Sequence, residues 1–395
     1  FAASSVAAEW GLSPVDLGFL LSSGLIGMAL GSVSLGSMAD SLGRRKLINL
    51  CLIIISVGML ASAFSRSQPQ LLFLRFLTGL GIGGMLATLT TLVSEFSNDE
   101  RRGLCIGVLQ SGYPLGALLG GFISVSLIEQ FGWRSLFLFG GSVSLLLLPI
   151  VIWKLPESLD FLLPRLDSKD KLRASKILEK LNLTMAENTE GALQIEAGSN
   201  WRKCFNPEST KRNTLLVWAS YFLLMYSFYF VVSWTPKLLV DSGLTTSQGI
   251  SAGVYLQTGG LLGAIAIGLL GARIKVTALT AFFFLCGVVS MLFYGLGDLP
   301  LLALMALSGV MGFFLIGAMI GLYTIAPALY PFSVRVTGVG LAIGVGRLGA
   351  IAAPLIGGLV LNAGFSNGVV YALFAVPLVL AAASVYGIKL GKSLG

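Results

Sequence analysis

Two arginines stand where the chain is otherwise oily: Arg75, about five residues into the apolar stretch 71–94, and Arg347, near the middle of the stretch 337–361. A guanidinium at the centre of a bilayer costs about 2.5–3.5 kcal/mol on insertion scales, so such a group faces a cavity or a partner. Its planar fork matches the two oxygens of a carboxylate, and anion binding is one chemistry it could perform. A structural ion pair, or hydrogen bonds to carbonyls of neighbouring helices, is the other. Arg347 lies deeper and is the stronger candidate for a carboxylate ligand.

The acids are placed differently. None of the 18 Asp and Glu residues falls in the central turns of an apolar stretch; Asp40 and Glu95 come closest, at the ends of two of them. If a proton travels with the substrate, its carrier is one of these, the substrate's own carboxylate, or an acid of a helix preceding this sequence. The last is the expectation. Histidine is absent, which removes the usual neutral-pH proton carrier and metal ligand. The four cysteines lack metal-ligand spacing, and no nucleophile is paired with a base. An enzyme is therefore excluded, and no cofactor is expected beyond the proton as coupling ion.

Aromatic and amide groups supply the rest of a candidate cavity. Phe222, Tyr226, Tyr229 and Ser233 recur at spacings of four, three and four and share one helix face. Gln110, Tyr113, Gln257 and Tyr323 add polar groups at depth in other stretches. Ring faces to stack on, with hydroxyls and amides for ring substituents, suit an aromatic acid. The plainer alternative is packing, since Tyr and Phe are frequent in membrane helices. Gly27 and Gly31, Gly79 and Gly83, and Gly259 and Gly263 are spaced by four, the pattern that lets helix backbones approach closely. Pro114 and Pro354 interrupt two stretches and are expected to kink them.

The elements that hold these residues are membrane spans. Of 395 residues, 55% are hydrophobic and only 11% charged, with a mean hydropathy of +0.88. A hydrocarbon core of about 30 Å needs about 20 apolar residues per helix, and eleven such stretches occur, near 16–38, 47–65, 71–94, 103–128, 134–153, 213–236, 247–271, 277–296, 300–326, 337–361 and 367–388. The opening residues 1–8 read as the last turns of a further, truncated span. Alternate loops divide the charge: 21 of the 26 Lys and Arg lie on one side, against Arg66, Arg134 and Lys237 on the other. Short loops alone keep that bias, which puts the basic side and both termini of the complete protein in the cytoplasm. The net charge of +8 thus records topology, and no nucleic-acid partner is implied.

Residues 159–211 are polar and carry no span, though 168–181 read as a short amphipathic helix at the membrane surface. They separate an N-terminal bundle, 1–158, from a C-terminal six-helix bundle, 212–395. The segment GSMADSLGRRK from Gly36 to Lys46 has a worn counterpart in GLLGARIK from Gly268 to Lys275. Such internal symmetry marks secondary transporters, whose site lies where the halves meet near the midplane.

The Gly36–Lys46 segment resembles the motif between helices 2 and 3 of the major facilitator superfamily, and the likeness covers essentially the whole chain. Arg75 through Gly84 (RFLTGLGIGG) resembles the helix-4 motif, and Pro156-Glu157-Ser158 the end of helix 6. GYPLGALLGG from Gly112, Gly132-Trp133-Arg134, Ser233-Trp234 with Pro236, Tyr330-Pro331, and Arg335 through Gly349 are similar to the aromatic acid:proton symporters. The resemblance implies an all-α fold of two pseudo-symmetric six-helix bundles: here, eleven complete spans and the stub of helix 1. It also implies a conformational or proton-coupling role for Arg75. Gly36, Asp40, Gly43, Arg44 and Arg45, with Glu95 beside Arg101 or Arg102, would form a charged cytoplasmic latch that holds the halves in the outward-open state. A solvated loop obeying the topology rule is the alternative.

The expected protein is a proton-coupled importer of a small organic anion, most simply a benzoate-like carboxylate, in the plasma membrane and acting as a monomer by alternating access. Arg347 would bind the carboxylate, with Gln110, Tyr113, Phe222, Tyr226, Tyr229, Gln257 and Tyr323 around the ring. A sugar or polyol porter would want a cavity richer in amides and carboxylates. A non-transporting membrane sensor would want a folded signalling domain, for which about fifty loop residues are too few.

Overall fold

The computed structural model describes residues 2–97, 102–162, 175, 208–271, 273–295, 299–330 and 335–388. Their secondary structure is helical: α1 (Ala3–Trp10), α2 (Pro14–Leu42), α3 (Arg44–Ala63), α4 (Gln68–Glu95), α5 (Arg102–Phe131), α6 (Trp133–Lys154), α7 (Glu208–Asp241), α8 (Thr246–Gly271), α9 (Val276–Gly295), α10 (Leu301–Leu329), α11 (Arg335–Asn362) and α12 (Asn367–Tyr386). One further helical turn, Leu159–Leu162, follows α6. Ten of these helices are long and apolar enough to cross a membrane, and in α5 the stretch Leu115–Phe131 is apolar but shorter. Helix is what such sequences must form in lipid, because each backbone N–H and C=O needs a partner within its own segment. The amphipathic helix expected at 168–181 lies outside the described residues except for Ser175.

Helix starts carry local signals. Before α2, the Ser13 hydroxyl donates to Asp16 Oδ2 (2.6 Å) and accepts from the Asp16 amide (3.1 Å). Before α8, Thr245 Oγ1 accepts from the Gln248 amide (3.2 Å), while Gln248 Oε1 accepts from the Thr245 amide (2.9 Å). Both are reciprocal caps of the Ser/Thr-x-x-acid/amide type, which satisfy donors the first turn cannot. The same device thus opens two helices that occupy equivalent places in the two halves of the chain.

The described residues fall into two compact units. One comprises 23–113 and 134–198. In it α2 and α4 approach at backbone contact: a Cβ on Gly27, Gly31, Gly79 or Gly83 would overlap a carbonyl of Phe76, Leu80, Gly24 or Met28 respectively. The other unit comprises 1–22, 114–133 and 199–395. Its α8 and α10 meet in the same manner, with Gly259 against the Gly309 carbonyl, Gly263 against Phe313 and Gly312 against Leu256. The four-residue glycine spacing read from the sequence therefore becomes two equivalent seams. Dispersion across bare backbone holds such pairs where hydrophobic burial cannot, because lipid is as apolar as leucine. Aromatic packing adds to the second unit: Phe230 stacks on Phe374 of α12 at 3.9 Å, and Tyr371 meets Phe230 edge-on.

Candidate substrate site and gate residues

Arg347 projects from the middle of α11 and donates from Nη1 to the hydroxyl of Tyr229 on α7, 3.2 Å away. The approach depends on small residues either side of it. Gly346 packs against Tyr221 and Met225, and at Gly349 any Cβ would meet the Phe222 carbonyl. Sequence spacing therefore sets α11 close enough to α7 for a guanidinium to reach a phenol. Tyr323 of α10 lies within electrostatic reach of Arg347 and Tyr229, and its ring stands 5.9 Å from that of Tyr221. The local equipment is one cation and several hydroxyls. That set can bind an anion and donate or accept hydrogen bonds around it.

The other expected contacts distribute as follows. Phe222 and Tyr226 stack at 6.4 Å, and Tyr226 in turn lies on Phe374 at 4.7 Å, so this face of α7 also forms the seam with α12. Gln257 is buried on α8 in the same unit, 8% exposed. Tyr113 belongs to the other unit and is exposed. The side chain of Gln110 lies outside the described residues.

In the first unit Arg75 is held by hydroxyls. Its Nη2 donates to Ser62 Oγ (3.0 Å) and Thr78 Oγ1 (3.2 Å), and its charge sits 4.5 Å from the centroid of the Phe137 ring. Among the described residues, a cation–π contact and neutral acceptors spread the charge.

At one end of this unit, Arg44 Nη2 lies 3.1 Å from Glu95 Oε1, with both side chains nearly buried, and Arg44 Nη1 also donates to the Ala39 carbonyl. Glu95 thus meets Arg44, a partner 51 residues away; Arg101 and the side chain of Asp40 lie outside the described residues. Gly36 lines α2 beside Ala87 of α4, and Gly43 takes φ +94°, a value glycine adopts without strain. Arg45 donates from Nη2 to the Ile152 carbonyl. Glu157 is the residue that sequence reasoning left without a task. Its Oε1 accepts from the amides of Arg45 (3.0 Å) and Ser158 (3.1 Å), so it caps the start of α3 from beyond α6. The Pro-Glu-Ser motif was the only available signal, and it named no partner.

The sequence profile of the Major Facilitator Superfamily matches residues 1–307. The chain belongs to that superfamily. Among its relatives is the gallate transporter of Pseudomonas putida, 35% identical over 392 residues that cover 98% of this chain and 86% of that protein. The 4-hydroxybenzoate transporter PcaK of Pseudomonas aeruginosa is 33% identical, with 98% and 86% covered. Among solved structures, the inward open conformation of the xylose transporter XylE from E. coli superposes with a TM-score of 0.72 at 18% identity, over 99% of this chain and 92% of that one. At that identity the likeness is one of fold. This major facilitator is a multi-pass membrane transporter and no enzyme, with an all-α architecture.

Proposed function

We propose that this transporter imports a small aromatic carboxylate together with a proton, by alternating access of the halves 1–158 and 212–395 about the central loop 159–211. The observation that carries the reading is the Arg347–Tyr229 pair, a cation held by a phenol beside Tyr323 and within an aromatic face. A substrate carboxylate takes the guanidinium fork, and the hydroxyls meet ring substituents. Relatives named for gallate and 4-hydroxybenzoate support that class of passenger. One proton with a monoanion makes the cycle electroneutral. The Arg44–Glu95 end of the first unit closes the cytoplasmic side, and the protein sits in the cell membrane with its basic loops inside. The test is uptake of labelled benzoate, hydroxybenzoates and a hexose into proteoliposomes. Aromatic acids are taken up and the hexose is not, and Arg347→Ala loses aromatic-acid uptake by about tenfold to a hundredfold, the range for one charged hydrogen-bonded contact. Undiminished uptake by that variant removes Arg347 from the site.

A further inference from the structure

The seam between α8 and α10 has a side that no side chain of the chain fills. Gly259 and Gly309 meet there as bare backbone, and the glycines that allow the approach leave a groove of about 390 Å³ between the two helices. Tyr255, Thr258 and Leu262 of α8 form one wall, and Ala306, Val310 and Phe313 of α10 form the other. Phe313 is held by stacking on Phe283 of α9, with ring centroids 5.5 Å apart. The Thr258 hydroxyl bonds within its own helix, donating to the Val254 carbonyl at 2.9 Å. Tyr255 differs. It is 48% exposed, and its hydroxyl has no hydrogen-bond partner among the described residues. The groove is thus apolar along its length, with one unused phenol on the turn of α8 nearest the start of that helix.

Depth decides what can lie in it. Lys237 before α8, against Arg273 and Lys275 after it, puts the start of α8 on the extracytoplasmic side. At 1.5 Å per residue Tyr255 lies about 14 Å along α8 and Leu262 about 24 Å, in a helix about 39 Å long. The groove therefore runs from the outer leaflet to the bilayer midplane. Side chains on a helix lean toward its N-terminus, so the phenol of Tyr255 is aimed at the headgroups. No water reaches this depth, and a hydroxyl there needs an acceptor supplied by lipid. We propose that the groove binds a glycerophospholipid of the extracytoplasmic leaflet, with one acyl chain along the α8–α10 seam and an ester carbonyl accepting from Tyr255. A lipid tail is the apolar molecule that a bilayer supplies at that depth. Its volume is that of ordinary ligand pockets, about 300–1,000 Å³. Hydrophobic burial adds little, because the tail only exchanges one apolar phase for another. Retention comes from dispersion along both walls, which an unfilled groove would forfeit, and from the phenol. The site does not depend on what the protein carries.

The experiment incubates the full chain, purified in detergent, with a phosphatidylglycerol that carries a diazirine in one acyl chain. After irradiation and digestion, mass spectrometry maps the adducts. Detergent replaces loosely held lipid, so adducts report places that retain it. Labelling is expected on 255–262 and 306–314, with the exposed apolar face of α12 around Val376 as the reference for background. Tyr255→Phe keeps the ring and removes the donor; it lowers groove labelling about two- to tenfold, the range for one hydrogen bond. Ala306→Phe fills the groove from an exposed position and reduces its labelling to the α12 background. Should that variant not reach the membrane, Val310→Phe, on the same wall and also exposed, carries the same expectation. Equal labelling of the groove and the α12 face means loosely held lipid only and overturns the site. Unaltered labelling in Tyr255→Phe overturns the ester contact. Suppression of groove labelling by saturating benzoate would give the groove to the transport path, and a dimer that Ala306→Phe dissociates would give it to a second copy of the chain; either result overturns the lipid site.

Discussion

Arg44 and Glu95, 51 residues apart, form an ion pair at 3.1 Å with only 12% and 10% of their side chains exposed. Removing either partner strands the other charge in a poorly solvated place, which is costlier than the pair itself is valuable. Arg44→Ala and Glu95→Ala are each expected to lower the melting temperature in detergent, and the double variant to lose less than their sum. A coupling energy of at least about 1 kcal/mol in that cycle is the expected result. Additive losses would show that the two residues do not act together.

The Tyr229 hydroxyl accepts from Arg347 Nη1 at 3.2 Å. Tyr229→Phe keeps the ring and deletes the acceptor, so the guanidinium loses one restraint and nothing else. Uptake kinetics should show KM raised about threefold to tenfold, with the maximal rate little changed, as expected for one net hydrogen bond. A fall in maximal rate at constant KM would assign the phenol to a later step of the cycle.

The glycine seams allow no methyl. Gly83→Ala forces a Cβ into the Met28 carbonyl and Gly312→Ala into the Leu256 carbonyl, whereas Gly268→Ala meets open space. The first two should destabilise the protein by about 1–3 kcal/mol each, the usual scale for overpacking, and the third by a few tenths at most. Thermal unfolding of the three purified variants ranks them.

Glu157 accepts from the backbone amide of Arg45 at the start of α3 and from that of its own neighbour Ser158. Glu157→Gln keeps an acceptor oxygen there, while Glu157→Ala leaves the amides bare. The alanine variant should lose about 1 kcal/mol, and the glutamine variant clearly less, in the same unfolding assay.

Electroneutral symport has its own signature. An acid-outside pH gradient should drive aromatic-acid accumulation, and a potassium-diffusion potential imposed at equal pH should not. A substrate-dependent inward current would contradict one proton per monoanion.

Much of the fold was legible because a bilayer imposes one-dimensional rules. Span length, the sidedness of Lys and Arg, and glycines four apart are local properties of the string, and lipid leaves the backbone few alternatives to helix. The stretches read near 71–94 and 367–388 return as α4 and α12 with ends shifted by a few residues. Arg347 could be singled out for the same reason, since a charge in an apolar run is costly wherever it later points.

Partners were another matter. Helical spacing put Phe222, Tyr226 and Tyr229 on one face, but only packing decided that Tyr229 meets Arg347 while Tyr226 lies on Phe374. Glu95 was read beside Arg101 and Arg102, whose side chains lie outside the described residues; its contact with Arg44, 51 residues away, had no local signal. The Pro354 carbonyl, shared by Trp234 and the bare backbone of Gly18, has no counterpart in any spacing. Periodicity specifies which way a side chain leaves its own helix. Which neighbour it finds depends on how helices from distant parts of the chain pack, and that is settled by shape complementarity summed over many contacts, which no local pattern encodes.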